Sequence, residues 1–318
     1  MTVLVLVELD GDALSIVSRE ALTFARQLRG DLHAIVVGSA AAAMADCRDY
    51  GVRVVHEAIT PQLETYAAAA RAAAVAHAAS TCGATTVLAG GSARGTEVLA
   101  HLAARAEVPM AANVVRVVVA TPLVVERQVV GGAALEQLPL DASLRVFTVA
   151  GHCLEPAPAD TPGEAELRTH TPAIDPKDLR ARVARVETGA RSDTAKLTSA
   201  RVVVGAGRGV GRQDGFESVI ALADRLGGAL GVSRVVTSLG WRPHAEQVGQ
   251  TGSRISPDVY LPCGISGAIQ HWAGCQSSKT IIAINTDPDA PMVTKAHYAV
   301  IGDLHDVVPA ILDELGPR

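Results

Sequence analysis

The chain has 318 residues, 48% hydrophobic and 19% charged, which is enough apolar material for one large or two ordinary domains. A formal charge of -5 and a pI near 6.1 argue against nucleic acid as the main partner. Apolar runs never reach the roughly 18 residues that a membrane helix needs, so no membrane insertion is expected. Aromatics make up only 3%, so the core must be aliphatic. The five cysteines, Cys47, Cys82, Cys153, Cys263 and Cys275, contain no CxxC pair. They read as reduced, mostly buried thiols of a cytoplasmic protein, and their spacing builds neither an iron–sulfur cluster nor a zinc site; the excess of arginine over lysine and the abundant alanine resemble proteins of GC-rich bacterial genomes. No metal site is expected.

The opening run Val3–Val7 reads as a buried first strand rather than a signal or transit peptide. Ser15–Leu28 has helical spacing. Ala34–Val37, Ala40–Cys47 and Val52–Val55 repeat the strand–helix–strand pattern. Pro61–Ala79 is an alanine-rich helix, Thr85–Ala89 a strand and Thr96–Ala104 a helix. Such a βαβ series predicts a mainly parallel sheet covered by helices. Val114–Val119, Leu123–Gln128 and Arg145–Val149 then follow without helices between them, as an antiparallel extension. From about residue 152 the apolar density falls and prolines accumulate, which reads as a connector with short edge strands, one near Arg182–Glu187. A boundary near Ser192–Thr198 divides the chain into domains 1–192 and 193–318. The second domain reads as strand Arg201–Val204, helix Phe216–Leu226, strands Ser233–Thr237 and Val259–Cys263, helix Ser266–Ala273, strands Thr280–Asn285 and Tyr298–Ile301, and helix Val307–Leu315.

The densest chemistry lies in residues 246–285. Two glycine-bracketed polar turns, Val248–Gly252 and Gly264–Gly267, flank the strand Val259–Cys263. A strand, a glycine turn and a helix start together favour an anion, because glycine lets a ligand approach the backbone and the helix offers free N–H groups. Ser266 is placed to cap that helix. Gln250, Thr251, Ser266, Gln270 and His271 add neutral hydrogen-bonding groups suited to a flat, polar-edged ligand. Gly205–Gly211 follows a strand but fails the dinucleotide spacing, since Val210 and Arg212 stand where the last glycine belongs. Arg208 in that turn reads either as part of a flexible loop or as a phosphate contact. Arg234, His271, Asn285 and Asp303 each also allow a purely structural reading: a surface arginine, a packed histidine and, for both Asn285 and Asp303, an Asx turn. Trp241 to Gln247 reads as an exposed loop. Neither a hydrolytic triad nor a Walker loop can be assembled, which favours a carrier over a substrate-converting enzyme.

GRGVG at 207–211, SR at 233–234, QVGQTG at 247–252, GISGAIQH at 264–271, SKTIIAINTDPDAP at 278–291 and GDL at 302–304 resemble, in order, the alpha subunit of electron transfer flavoproteins. The first half is more loosely similar through VLVLVE at 3–8, GATTVLAGG at 83–91 and LAARAEVPMAANV at 102–114. The resemblance implies two α/β domains with mainly parallel sheets. The C-terminal one would be a doubly wound FAD-binding domain and the N-terminal one would contact a beta subunit. It implies that Arg208 and Ser233 run along FAD, Arg234 covers the isoalloxazine ring, and Thr251 lies near flavin N5. Val248, Gly249 and Gln250 would line the ribityl chain and ring. Ser266, Gly267, Ala268, Ile269, Gln270 and His271 would wrap the cofactor, with His271 at the pyrimidine carbonyl. Asn285, Asp303 and Leu304 would hold the AMP end. The implied donors are flavin dehydrogenases such as acyl-CoA dehydrogenases of fatty acid beta-oxidation, and the implied acceptor is a quinone oxidoreductase. Two rival readings are a subunit of an NADH-dependent bifurcating flavoprotein and a non-redox nucleotide-binding module.

Overall fold

A computed structural model describes residues 1–130, 134–151, 153–185, 197–198 and 200–316. The chain separates into two compact units, Met1–Val186 and Glu187–Arg318. Residues 192–196 of the expected boundary, and residues 186 and 187 of the expected edge strand, lie outside the described residues.

The first unit is built on nine strands. In chain order they are β1 Thr2–Leu6, β4 Asp31–Val37, β5 Val54–Ala58, β6 Ala84–Gly90, β7 Met110–Ala120, β8 Leu123–Val129, β9 Ala134–Pro139, β10 Arg145–Val149 and β11 Glu166–His170, with a small separate hairpin of β2 Leu9–Asp10 and β3 Ala13–Leu14. Their order across the sheet is β11-β5-β4-β1-β6-β10-β7-β8-β9. All neighbours are parallel up to β7, and β7, β8 and β9 are antiparallel. Strand β1 shows why a continuous apolar run was needed. Val3 and Val5 pack on one face with helices α1 (Ile16–Ala25) and α2 (Met44–Asp49). Leu4 and Leu6 pack on the other with α3 (Ala68–Cys82) and α4 (Ala93–Ala106). Parallel strands covered on both faces cannot alternate apolar and polar residues.

Three sequence expectations change here. Arg145–Val149 is not part of the antiparallel extension; β10 inserts between β6 and β7, parallel to both. Val146, Phe147 and Val149 are almost wholly buried, and only a central position supplies cover on both faces. Pro61–Ala79 is not one helix. A short 3-10 turn, Pro61–Leu63, precedes α3, and Ala67 between them is extended, at φ -141 and ψ 109. The connector's edge strand is Glu166–His170, whose exposed, polar sequence gave no strand signal, while 182–185 forms none.

The second unit has five parallel strands, β12 Val202–Ala206, β13 Ala229–Val232, β14 Val259–Cys263, β15 Thr280–Asn285 and β16 Tyr298–Ile301, in the order β13-β12-β14-β15-β16. Helices α5 (Glu217–Arg225) and α9 (Leu304–Leu315) cover one face. Helices α7 (Ile269–Cys275) and α8 (Pro291–Lys295) cover the other, where Cys275 and Met292 join Tyr260 and Ile281. The chain therefore winds in both directions from β12, and the reversal falls between β12 and β14. Open α/β sheets bind ligands beyond the carboxyl ends of their strands at such a switch point.

Ser233–Thr237 is not a strand. β13 ends at Val232, and a short helix α6, Arg234–Ser238, starts directly after Ser233. The two valines that read as β-branched strand residues are split by a helix: Val236 is buried and Val235 exposed.

Candidate functional site

A cavity of about 480 Å³ opens at that switch point. It lies wholly within the second unit, and the turns after β12, β13, β14 and β15 all contribute to its wall. The volume falls in the range of ligand sites, roughly 300–1,000 Å³.

The turns after β12 and β14 touch. Gly207 N donates to Cys263 O at 2.9 Å, and Gly209 N donates to Gly264 O at 3.1 Å. A Cβ on Gly207 would collide with the Gly264 carbonyl. This contact is what the glycine turn at 205–211 is for, and it presents Arg208 at the cavity edge. After β13, Ser233 N donates to Ala206 O at 3.1 Å, which places the Ser233 side chain and Arg234 on the wall. Among the described residues, neither the Arg208 nor the Arg234 side chain has a hydrogen bond or ion pair. Two unpaired guanidinium groups beside one lining carboxylate, Asp287, favour an anionic ligand.

The turn Val248–Thr251 is held from three sides. Val248 N donates to Val232 O at 2.9 Å, and Gln250 N donates to Gln270 O at 2.7 Å. Gly249, at φ 144, lies against Gly274 so closely that a Cβ on Gly274 would collide with the Gly249 backbone. Gln247 supplies the third hold. It is 2% exposed, accepts from Thr237 Oγ1 at 2.6 Å and donates to Thr251 Oγ1 at 3.0 Å. The exposed-loop reading of Trp241 to Gln247 is therefore corrected at its end. Glu246 and Gln247 are buried, and Trp241 packs edge-on against Phe216. Gln247 lines the cavity and was not among the expected site residues, although it opens the QVGQTG block. Its spacing from Thr251 was visible; its burial was not.

Beyond β14, Ser266 does not cap the helix. The helix starts at Ile269, its N-cap is Ala268, and no side chain caps it. Ser266 is exposed on the cavity wall, while its carbonyl accepts from Met292 N at 3.1 Å. His271 is 7% exposed, and its Nε2 lies 2.7 Å from the buried Tyr260 hydroxyl. Burial lowers His271 to about 4 and raises Tyr260 well above its ordinary value, so both are neutral near pH 7. His271 Nδ1 and Ser233 Oγ are buried polar atoms without a hydrogen-bond partner among the described residues. Both residues line the cavity. Buried polar atoms normally find partners, so two orphans on one cavity wall fit a ligand that supplies them.

The structure thus brings together Arg208, Ser233, Arg234, Val248, Gly249, Gln250, Thr251, Ser266, Gly267, Ala268, Gln270, His271 and Asn285. Asn285 also serves its Asx turn, donating to Ile265 O at 3.0 Å and accepting from Asp287 N at 3.1 Å. Ile269, Asp303 and Leu304 do not line the cavity. Ile269 is exposed, Leu304 packs in the core, and Asp303 caps α9 by accepting from His305 N at 2.9 Å.

Fold and site define a doubly wound α/β protein with an anion-favouring cleft at its topological switch point, the place and shape for a nucleotide cofactor. Residues 3–175 match the electron transfer flavoprotein domain, and residues 196–276 match the electron transfer flavoprotein FAD-binding domain. The chain is 38% identical to the electron transfer flavoprotein subunit alpha of Mycobacterium leprae, over 99% of this chain and 98% of that one. It is 34% identical to the subunit alpha of Pseudomonas aeruginosa, over 98% and 99% of the two chains, and 32% identical to that of Bacillus subtilis, over 98% and 96%. The chain belongs to the electron transfer flavoprotein family, as an alpha subunit, and its second unit is the family's FAD-binding domain.

Proposed function

We propose that this alpha subunit pairs with an electron transfer flavoprotein beta subunit and relays electrons from flavin dehydrogenases, such as acyl-CoA dehydrogenases, to a quinone oxidoreductase. The observation that carries the reading is the pair of orphaned atoms, Ser233 Oγ and His271 Nδ1, on a cavity wall inside the FAD-binding domain. FAD, when bound, supplies the electron-accepting and electron-donating chemistry. The chain's own residues bind and orient it. Arg208 and Arg234 offer charge to phosphate and ring, and the Val248–Thr251 turn positions Thr251 through Gln247. With the Tyr260 hydroxyl donating to Nε2, the His271 proton sits on Nδ1, which can then donate to a carbonyl. Ser266, Gly267, Ala268 and Gln270 complete the wall beyond β14, and Asn285 that beyond β15. Ile269, Asp303 and Leu304 act indirectly, through α7 and the start of α9. The first unit provides the partner surface, and the working compartment is the bacterial cytoplasm.

Co-expression with a beta subunit, followed by gel filtration and visible spectroscopy, tests this. The expected product is a yellow dimer with FAD bound to the alpha chain. It should be reduced by an acyl-CoA dehydrogenase with substrate and reoxidised by a quinone oxidoreductase. A colourless complex, or a flavin that exchanges no electrons with either class of enzyme, would overturn the reading.

A further inference from the structure

The first unit holds a second cluster of chemistry, made of residues that do not line the FAD cavity. His33 lies on β4 and His56 on the neighbouring β5, with His33 Nδ1 and His56 Nε2 3.0 Å apart. His56 Nδ1 continues to His170 Nε2 on β11 at 2.8 Å. Cys82 is the last residue of α3, just before the left-handed Gly83. Donor atoms of His33, His56 and Cys82 all lie within 4.8 Å of one another. His33 and His56 are buried and Cys82 is half-buried. We propose that His33, His56 and Cys82 form a metal site of the mixed nitrogen–sulfur type, suited to zinc.

Tetrahedral zinc, bound at about 2.0–2.3 Å from nitrogen and sulfur, holds its donor atoms roughly 3.3–3.7 Å apart. The two imidazoles already meet at 3.0 Å, so a cation can take the place of the proton they share. Cys82 Sγ makes a weak 3.7 Å contact with Ala79 O, so a rotation of this helix-terminal side chain can close the remaining gap. His170 supplies what ligating histidines need, a partner for the ring nitrogen that does not bind metal. On coordination both imidazoles stay neutral, with His33 carrying its proton on Nε2 and His56 on Nδ1. The Cys82 thiol loses its proton to solvent, and a water completes the fourth position on the exposed side. No spacing rule finds this site, because its ligands come from two strands and a helix end.

The test uses tag-free full chain stripped with a chelator, then zinc(II) alone in equilibrium dialysis with elemental analysis. One zinc per chain is expected, with Cys82→Ser and His56→Gln each weakening binding at least tenfold. Cobalt(II) should give a near-ultraviolet thiolate charge-transfer band that is lost in Cys82→Ser and kept in Cys153→Ser. Cys82→Ser changes one atom at a half-buried position, so it serves as the informative variant if His56→Gln fails to fold. Absence of stoichiometric zinc, or a cobalt band indifferent to Cys82→Ser, would overturn the proposal.

Discussion

The Tyr260 hydroxyl and His271 Nε2 are 2.7 Å apart, with the two rings at an interplanar angle of 25°. Tyr260 stands on β14, at the centre of the second sheet, and is fully buried; His271 stands on α7 and reaches the cavity. The bond ties a helix to the strand beneath it. It also leaves His271 Nδ1 as the ring atom free for a ligand.

Tyr260→Phe should therefore leave a buried imidazole nitrogen unsatisfied. Such a loss costs about 1–3 kcal/mol. Urea denaturation should show it as a lower midpoint with an unchanged slope, and FAD affinity should fall as the His271 tautomer loses its anchor. A variant as stable as the parent would mean that the bond contributes nothing.

The same histidine predicts a pH dependence. The His271 imidazole ordinarily titrates near 6.5 and is lowered to about 4 in the folded chain, because burial penalises its cation. The unfolded chain thus binds the extra proton more readily. Stability from this residue is complete above pH 6.5 and declines as pH falls towards 4, by about 3 kcal/mol in all. Denaturation midpoints of the flavin-free chain from pH 7 to 4 should fall less steeply in His271→Gln. Parallel curves for the two proteins would refute the assignment.

Ser233→Ala should act oppositely on the two states. The Ser233 hydroxyl is buried without a partner, so its removal leaves the flavin-free chain as stable or slightly more stable. If FAD satisfies that hydroxyl, the same change weakens binding by roughly threefold to tenfold, one hydrogen bond being worth about 0.5–1.5 kcal/mol. Thermal melting without flavin and equilibrium dialysis with it provide the two readouts. Unchanged FAD affinity would remove Ser233 from the site.

Arg234→Ala should move the flavin potential more than its affinity. Reduction adds negative charge to a flavin, and an unpaired cation on the cavity wall favours that state. Because Arg234 is exposed, screening limits the effect to roughly some tens of millivolts. Anaerobic reductive titration should show a lower potential in Arg234→Ala and partial recovery in Arg234→Lys. Identical potentials in all three proteins would make the residue structural.

Much of the molecule was determined by the sequence alone. Strands buried on both faces betray themselves as unbroken apolar runs, so β1, β14 and β15 are visible directly, whereas β16 is an apolar edge strand whose residues are exposed. The glycine turns at 207, 249, 264 and 267 and the polar residues between them mark the cleft, because only glycine admits such close backbone contacts. The tertiary structure decided what depends on partners distant in the chain. β10 lies centrally because Val146, Phe147 and Val149 need cover on both sides, and no local pattern states where a strand inserts. Ser233–Thr237 became a helix start because its valines are buried on one side only. Gln247 gained its place through two hydrogen bonds, to Thr237 and Thr251, that exist only when the loop folds back. His33, His56, His170 and Cys82 meet only because β4, β5, β11 and the end of α3 converge. Residue type and spacing encode local geometry; juxtaposition across elements comes from packing, and it is there that buried polar atoms find partners or are left without them.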